Sequence, residues 1–239
     1  MTTVASAKAR GKRVLPVMWR LRRNEKDYRE RGIRLLAGAD EVGVGPLAGP
    51  LVAAAVIMPV ESAIRGVDDS KKVLSPQARG RLSREILAEA VAVGIGMASA
   101  REIERVNVYQ AGLRAMARAV RRLDPAPELL LVDARVIPGL DIPQEAHKKG
   151  DATFYQIACA SLVAKVFRDA LMRRLDRRHP GYGFARHMGY PTPEHHEALR
   201  RLGPCPIHRR NTAWVMECDQ GELWPDVVSG EAAAEAPAE

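Results

Sequence analysis

The chain has 239 residues, 46% of them hydrophobic, which suffices for one domain with a substantial core, and its formal net charge of +8 favours a polyanionic partner. Its three cysteines, Cys159, Cys205 and Cys218, form neither an even framework nor a metal-ligand spacing, and are expected to be reduced thiols in a cytoplasmic protein. No apolar run reaches the length of a membrane span and the N-terminus lacks the apolar core of a secretory signal, so no membrane partner is expected.

The charge is uneven along the chain: residues 1–36 carry eleven Lys or Arg against three acids, whereas residues 217–239 carry seven acids and no base. Residues 1–32 are expected to be a basic arm, partly disordered, with a short helix around 20–31. The arm serves either as a non-specific phosphate grip or as a solvated extension. The folded domain is expected over 33–216 and an acidic disordered tail over 217–239. Within the domain, 35–40 and 51–58 read as neighbouring strands and 90–97 as a third. Ile103, Val106, Leu113, Met116 and Val120 recur at helical spacing and predict a helix over 103–123. Residues 129–133, bounded by Pro127, read as a short buried strand. A long helix with small residues on one face is expected over 154–175, and a shorter one over 193–202. The alternation predicts a mixed α/β domain.

Asp40 and Glu41 end the first apolar run and lead into a turn containing Gly43, Gly45 and Pro46. On a continuous strand adjacent side chains face opposite ways, so both carboxylates reach one cation only if the strand stops or bulges at the pair. Asp133 ends the apolar run LLLV, again at the C-terminal end of a strand, where ligand sites collect in α/β sheets. Asp151 precedes the long helix and suits an N-cap, while Asp169 lies within that helix. Among the six histidines, His195 and His196 are neighbours on an expected helix and cannot face one ion together, so no zinc site is expected.

The stretch LLAGADEVGVGPLAGPLVAAAVIMP at 35–59 resembles the signature of bacterial ribonuclease HII, the type 2 ribonuclease H family, whose usual form is GIDEAGRGPLAGPVVAAAV. The resemblance continues in order through DDSKK at 68–72, ASAREIERVNVYQAGLRAMARAV at 98–120, LLLVDA ending at Ala134, KKGDATFYQIACASLVAKVFRD at 148–169, PGYGFARHMGYPTPEHHEAL at 180–199 and PIHRR at 206–210. It spans residues 33–212.

This resemblance implies a ribonuclease H-like fold, a five-stranded mixed sheet flanked by helices with a helical C-terminal portion. It also implies a metal-dependent endoribonuclease that hydrolyses RNA in RNA:DNA hybrids, incises 5′ of single ribonucleotides in duplex DNA and leaves 3′-hydroxyl and 5′-phosphate ends. The implied ligands of Mn²⁺ or Mg²⁺ are Asp40, Glu41, Asp133 and Asp151, with Asp169 structural. Such hard cations prefer oxygen donors, and two ions roughly 3.5–4 Å apart would activate water and stabilise the leaving oxygen. Gly43, Val44 and Gly45 stand where the family's loop approaches the ribose 2′-hydroxyl, and Tyr190 where a tyrosine packs on the sugar at the junction. Val44 replaces the usual arginine and Ala134 the usual glycine. The arginine's loss predicts weaker binding or altered junction preference with catalysis retained. Lys71, Lys72, Lys148, Lys149, Lys165, Arg209 and Arg210 are candidate phosphate contacts. Gln220, Leu223 and Trp224, within QGELW, are similar to short peptides that dock on sliding clamps. The chain is expected to act as a monomer. A non-catalytic hybrid-binding protein on the same fold is the alternative, suggested only by Val44 and opposed by the retention of all four carboxylates. The sister family, ribonuclease HIII, is disfavoured because about 35 residues before the first strand leave no room for its extra N-terminal domain.

Overall fold

The structure, a computed structural model, describes residues 17–68, 73 and 75–219. Strand β1 (Leu36–Val42) pairs antiparallel with β2 (Leu51–Ile57), and β2 antiparallel with β3 (Ala92–Ala98). On its other side β1 runs parallel to β4 (Leu129–Asp133), and β4 parallel to β5 (Gln144–His147). The result is the five-stranded mixed sheet that the resemblance implied, in the order β3-β2-β1-β4-β5. The fifth strand escaped the sequence reading because QEAH carries no apolar alternation.

Side-chain alternation divides the core between two faces. Ala37 and Ala39 of β1, Leu51, Ala53, Ala55 and Ile57 of β2, and Leu130 and Val132 of β4 pack against α4 (Ala100–Val120). Ala54 and Val56 lie on the other face, against α3 (Pro76–Glu89) and α5 (Tyr155–Arg178). Small residues bring both layers close. A Cβ at Gly38 would collide with the backbone of Gln156 and Ile157, and one at Gly94 or Gly96 with the Ala119 or Ala115 carbonyl. No side chain larger than hydrogen fits at these strand positions while the helices stay where they are.

Helix α4 consists of two segments joined at Asn107, whose φ of 68° and ψ of 162° interrupt the ladder. The Asn107 Oδ1 accepts the Gln110 N–H at 3.0 Å and so starts the second segment. The helix expected over 103–123 begins earlier, because Ser99 Oγ accepts the Glu102 N–H at 3.2 Å and caps it. Helix α3 was not anticipated, although Ser75 followed by Pro76 is a start signal: Ser75 Oγ accepts the Ala78 N–H at 3.3 Å. The C-terminal portion is helical, with α6 (Phe184–His187), α7 (Pro193–Leu202) and α8 (Ala213–Asp219). Among the described residues no helix is long and apolar enough to cross a membrane.

The helix expected around 20–31 is present as two short helices packed on the domain. The described part of the basic arm forms α1 (Val17–Asn24) and α2 (Lys26–Glu30), and Leu21 and Glu25 are fully buried; residues 1–16 lie outside the described residues. The N-cap of α5 is Phe154, which offers no side-chain acceptor. Glu25 replaces it from a distance, accepting the Gln156 N–H at 2.8 Å, with Arg29 at 3.2 Å and Arg22 at 3.6 Å from the same carboxylate. Burial raises the Glu25 pKa, opposed by the Gln156 amide and both guanidiniums. Glu25→Ala is expected to lower stability by about 2 kcal/mol, because it strands an amide and two partly buried cations. The measurement is the urea midpoint, with Glu25→Gln, which keeps the acceptor, falling between the two.

Candidate metal centre and nucleic-acid cleft

The β1–β4 ladder runs from Leu36 opposite Leu129 to Ala39 opposite Val132, so Asp40 and Asp133 are the next residues on two parallel strands. Alternation puts both on the α5 face. Asp133 in turn pairs with His147 of β5, and the chain then enters a 3-10 turn, Gly150–Ala152, that carries Asp151. The Gly150 N–H donates to Asp133 Oδ1 at 2.7 Å and ties the turn to the strand end. Asp151 is therefore not the N-cap of α5; the turn holds it instead, buried at the strand ends. The strand does not stop or bulge at the acidic pair as expected. It continues to Val42, with Asp40 opposite Ala54 and Glu41 opposite Ala53, so Asp40 lies on the α5 face near Ser161 and Glu41 on the α4 face beside Gly112.

A cleft of about 310 Å³ nevertheless includes both, together with Asp133, Ser161, Lys165, Arg79, Tyr190 and the loop residues Gly43, Val44 and Gly45. Asp40 is 6% exposed. Its pKa is raised well above the usual carboxylate range, first by burial and next by the charge of Glu41; a Ser161 hydrogen bond opposes this, and Asp133 and Asp151 add to it. Asp40 thus senses the charge of the other three carboxylates in a desolvated place. Among the described residues no three His, Cys, Asp or Glu groups converge as a finished metal shell. The donor set still fits a hard divalent cation, which accepts carboxylate oxygens, keeps several waters and neutralises the repulsion.

Asp169 pairs with Lys165 at 2.7 Å and with Arg79 at 3.8 Å, holding two cations on the cleft wall. This is a structural role, and Arg79 is a cleft residue that sequence reasoning missed. Lys148 is exposed on the turn before Asp151. Lys71 and Lys72 lie outside the described residues.

Arg209 requires a correction. Expected to contact phosphate, it is 1% exposed and donates to main-chain carbonyls: Gly43 at 2.6 Å, Val44 at 3.0 Å, and Gly49 at 3.0 and 3.1 Å. Arg168, another residue missed, donates to Pro50 and Met188 at 3.0 Å and to Ala48 at 3.3 Å, and its guanidinium lies 5.7 Å from the Tyr190 ring. Burial, then the charge of Arg168, lowers the Arg209 pKa to about 10, so the group remains a cation at neutral pH. Gly43 has φ of 96°, and a Cβ there would run into the Arg168 side chain, so the clamp admits only glycine.

Tyr190 is held from behind by a pair of histidines. The Cys205 N–H donates to His208 Nδ1 at 2.9 Å, His208 Nε2 contacts His195 Nε2 at 3.1 Å, and His195 Nδ1 donates to the Tyr190 carbonyl at 2.9 Å. With its Nδ1–H given to the Tyr190 carbonyl, a neutral His195 accepts at Nε2 from the His208 Nε2–H. Burial lowers the pKa of His195 to about 4 and that of His208 to about 3. Because the unfolded rings protonate near 6.5, the unfolded state binds more protons below that pH. Each ring is expected to withdraw up to about 1.4 kcal/mol of stability per pH unit from pH 6.5 down toward its folded pKa. Melting temperatures between pH 7 and 4.5 check this, and His208→Gln is expected to flatten the fall.

Ala134, beside Asp133, has φ of 62°, a left-handed conformation that disfavours a Cβ. Ala134→Gly is expected to stabilise the protein by about 0.5–1 kcal/mol, read as a higher melting temperature.

The family model for ribonuclease HII matches residues 37–215. Ribonuclease HII of Geobacillus kaustophilus is 55% identical over 197 residues, which cover 82% of this chain and 75% of that protein. Of the solved structures, ribonuclease H2 of Pyrococcus horikoshii has a TM-score of 0.65 and 26% identity over 77% of this chain and 97% of its own. Ribonuclease HII of Archaeoglobus fulgidus, solved in complex with PCNA, has a TM-score of 0.63 and 29% identity over 74% of this chain and 93% of its own. With strand-end carboxylates in a shared cleft and a family match across nearly the whole domain, the chain belongs to the ribonuclease HII family, as a divalent-metal-dependent endoribonuclease acting on RNA in RNA:DNA hybrids.

Proposed function

We propose that Asp40, Glu41, Asp133 and Asp151 hold Mg²⁺ or Mn²⁺ and that the protein incises 5′ of single ribonucleotides in duplex DNA as well as within hybrids, leaving 3′-hydroxyl and 5′-phosphate ends. The observation that carries this reading is the Asp40 carboxyl, raised in pKa first by its burial and then by the charges of Glu41, Asp133 and Asp151. The divalent cation, when bound, supplies a polarised water and neutralises charge on the scissile phosphate. Lys165 and Arg79 on the cleft wall draw the phosphate backbone inward. The loop at Gly43, Val44 and Gly45, clamped by Arg209, presents backbone to the ribose, whose 2′-hydroxyl distinguishes RNA from DNA. Tyr190 packs against the sugar at the junction. Val44, 50% exposed, brings no charge to this surface.

A protein partner beyond nucleic acid is supported by the complex of the Archaeoglobus relative with PCNA. In this chain the segment proposed for that role, Gln220, Leu223 and Trp224, lies outside the described residues. Absence of retention on an immobilised sliding clamp would remove it.

The test is incision of a labelled duplex carrying one ribonucleotide. Asp133→Asn is expected to lower the rate by at least about a hundredfold, as the loss of a metal-holding carboxylate implies. Val44→Arg is expected to tighten duplex binding roughly fivefold at low salt by adding one phosphate contact. Incision by Asp133→Asn at the wild-type rate would overturn the site assignment.

A further inference from the structure

A second cleft, of about 220 Å³, adjoins the carboxylates on the α4 side of the sheet. It shares Glu41, Val44 and Asp133 with the first cleft, so the two adjoin at these residues. The first ends at Tyr190. The second ends at Tyr109 and Arg135, whose guanidinium lies over the Tyr109 ring, 4.2 Å from its centroid. Tyr109 is 43% exposed, and among the described residues the Arg135 guanidinium makes no hydrogen bond or ion pair. Two backbone irregularities flank this pair. The break at Asn107 restarts α4 two residues before Tyr109, and the left-handed Ala134 turns the chain between Asp133 and Arg135. The cleft floor is apolar, formed by Val108, Leu113 and Met116.

We propose that Tyr109 and Arg135 form a nucleotide subsite for the cleaved strand, on the side of the scissile phosphate opposite Tyr190. The sugar of a flanking nucleotide packs on the Tyr109 ring and the apolar floor, and its phosphate takes the in-plane N–H donors of Arg135. Three observations support this occupant. An aromatic face with an apolar floor suits a sugar or base rather than a bare ion. An unpaired guanidinium stacked on an aromatic ring keeps its donor edge available for an oxyanion. Glu41, Val44 and Asp133 line both clefts, so a strand bound at the carboxylates has a continuous path from Tyr190 to Tyr109. The subsite rests on the proposed function, because it assumes that a nucleic-acid strand crosses the carboxylates.

The experiment measures binding of fluorescent duplexes without divalent metal, comparing the full-length protein with Tyr109→Ala, Tyr109→Phe and Arg135→Ala. Three substrates each carry one ribonucleotide: one extends fully to both sides, and each of the others ends one nucleotide from the scissile phosphate on one side. On the full substrate Tyr109→Ala is expected to bind about tenfold more weakly, with Tyr109→Phe near wild type. Arg135→Ala is expected to bind several-fold more weakly with a shallower salt dependence. The Tyr109→Ala loss is expected to vanish with one truncated substrate and persist with the other, and Tyr190→Ala to show the mirror pattern. Wild-type affinity of Tyr109→Ala for the full substrate, or an equal loss on both truncated ones, would overturn the subsite. Incision by the wild type, measured separately with Mg²⁺ or Mn²⁺, reports on the proposed function itself: its failure while the truncation pattern holds would fault the reaction and leave the subsite standing.

Discussion

Two buried guanidiniums carry the geometry of the cleft. Arg168 reaches in from α5 and Arg209 from the segment before α8, and both end against the loop that follows β1. A guanidinium removed from water costs several kcal/mol unless its donors are met. Here main-chain carbonyls of Gly43, Val44, Ala48, Gly49, Pro50 and Met188 meet them. The loop cannot rearrange without stranding buried charge, so its conformation is imposed from two distant parts of the chain. The backbone reinforces it: Leu47 N–H donates to Gly189 and Gly49 N–H to Ile207, each at 2.8 Å. Tyr190 is thereby held in the same unit as the glycine loop it faces.

The carboxylates pose the opposite problem. Parallel β1 and β4 place Asp40 and Asp133 side by side at their C-terminal ends, and the 3-10 turn adds Asp151 behind them. The sheet brings like charges together; the Gly150 N–H at Asp133, the Glu41 N–H at Asp40, Ser161 and the cations of the cleft wall offset part of their repulsion. A divalent cation would offset that concentration of negative charge. The cationic clamp and the anionic strand ends meet in one cleft: the first fixes the loop that follows β1, and the second gathers negative charge beside it.

Four of the five strands and the helices α4, α5 and α7 were legible from apolar periodicity, and Leu129–Asp133 and Pro193–Leu202 have the boundaries expected of them. Asp40 and Asp133 were legible because each ends an apolar run. Arg79 and Arg168 were not, since a cation within a helical pattern reads as a solvated face until the partner packed on it is known. Arg209 was misread for the same reason, as a surface phosphate contact. Glu25 looked like one acid in a basic arm, and only its place against Gln156 makes it a helix cap.

The sequence by itself determined the family, the α/β alternation and the identity of the acidic residues, because those depend on local pattern and on motifs read along the chain. Tertiary structure alone decided which of them share a cleft and which cations are buried clamps rather than substrate contacts. It also placed Tyr109 beside Arg135 in a cleft adjoining the one that holds Tyr190. Strand register, helix packing against glycine positions and burial bring together residues more than a hundred positions apart, and desolvation then sets the charge and role of each.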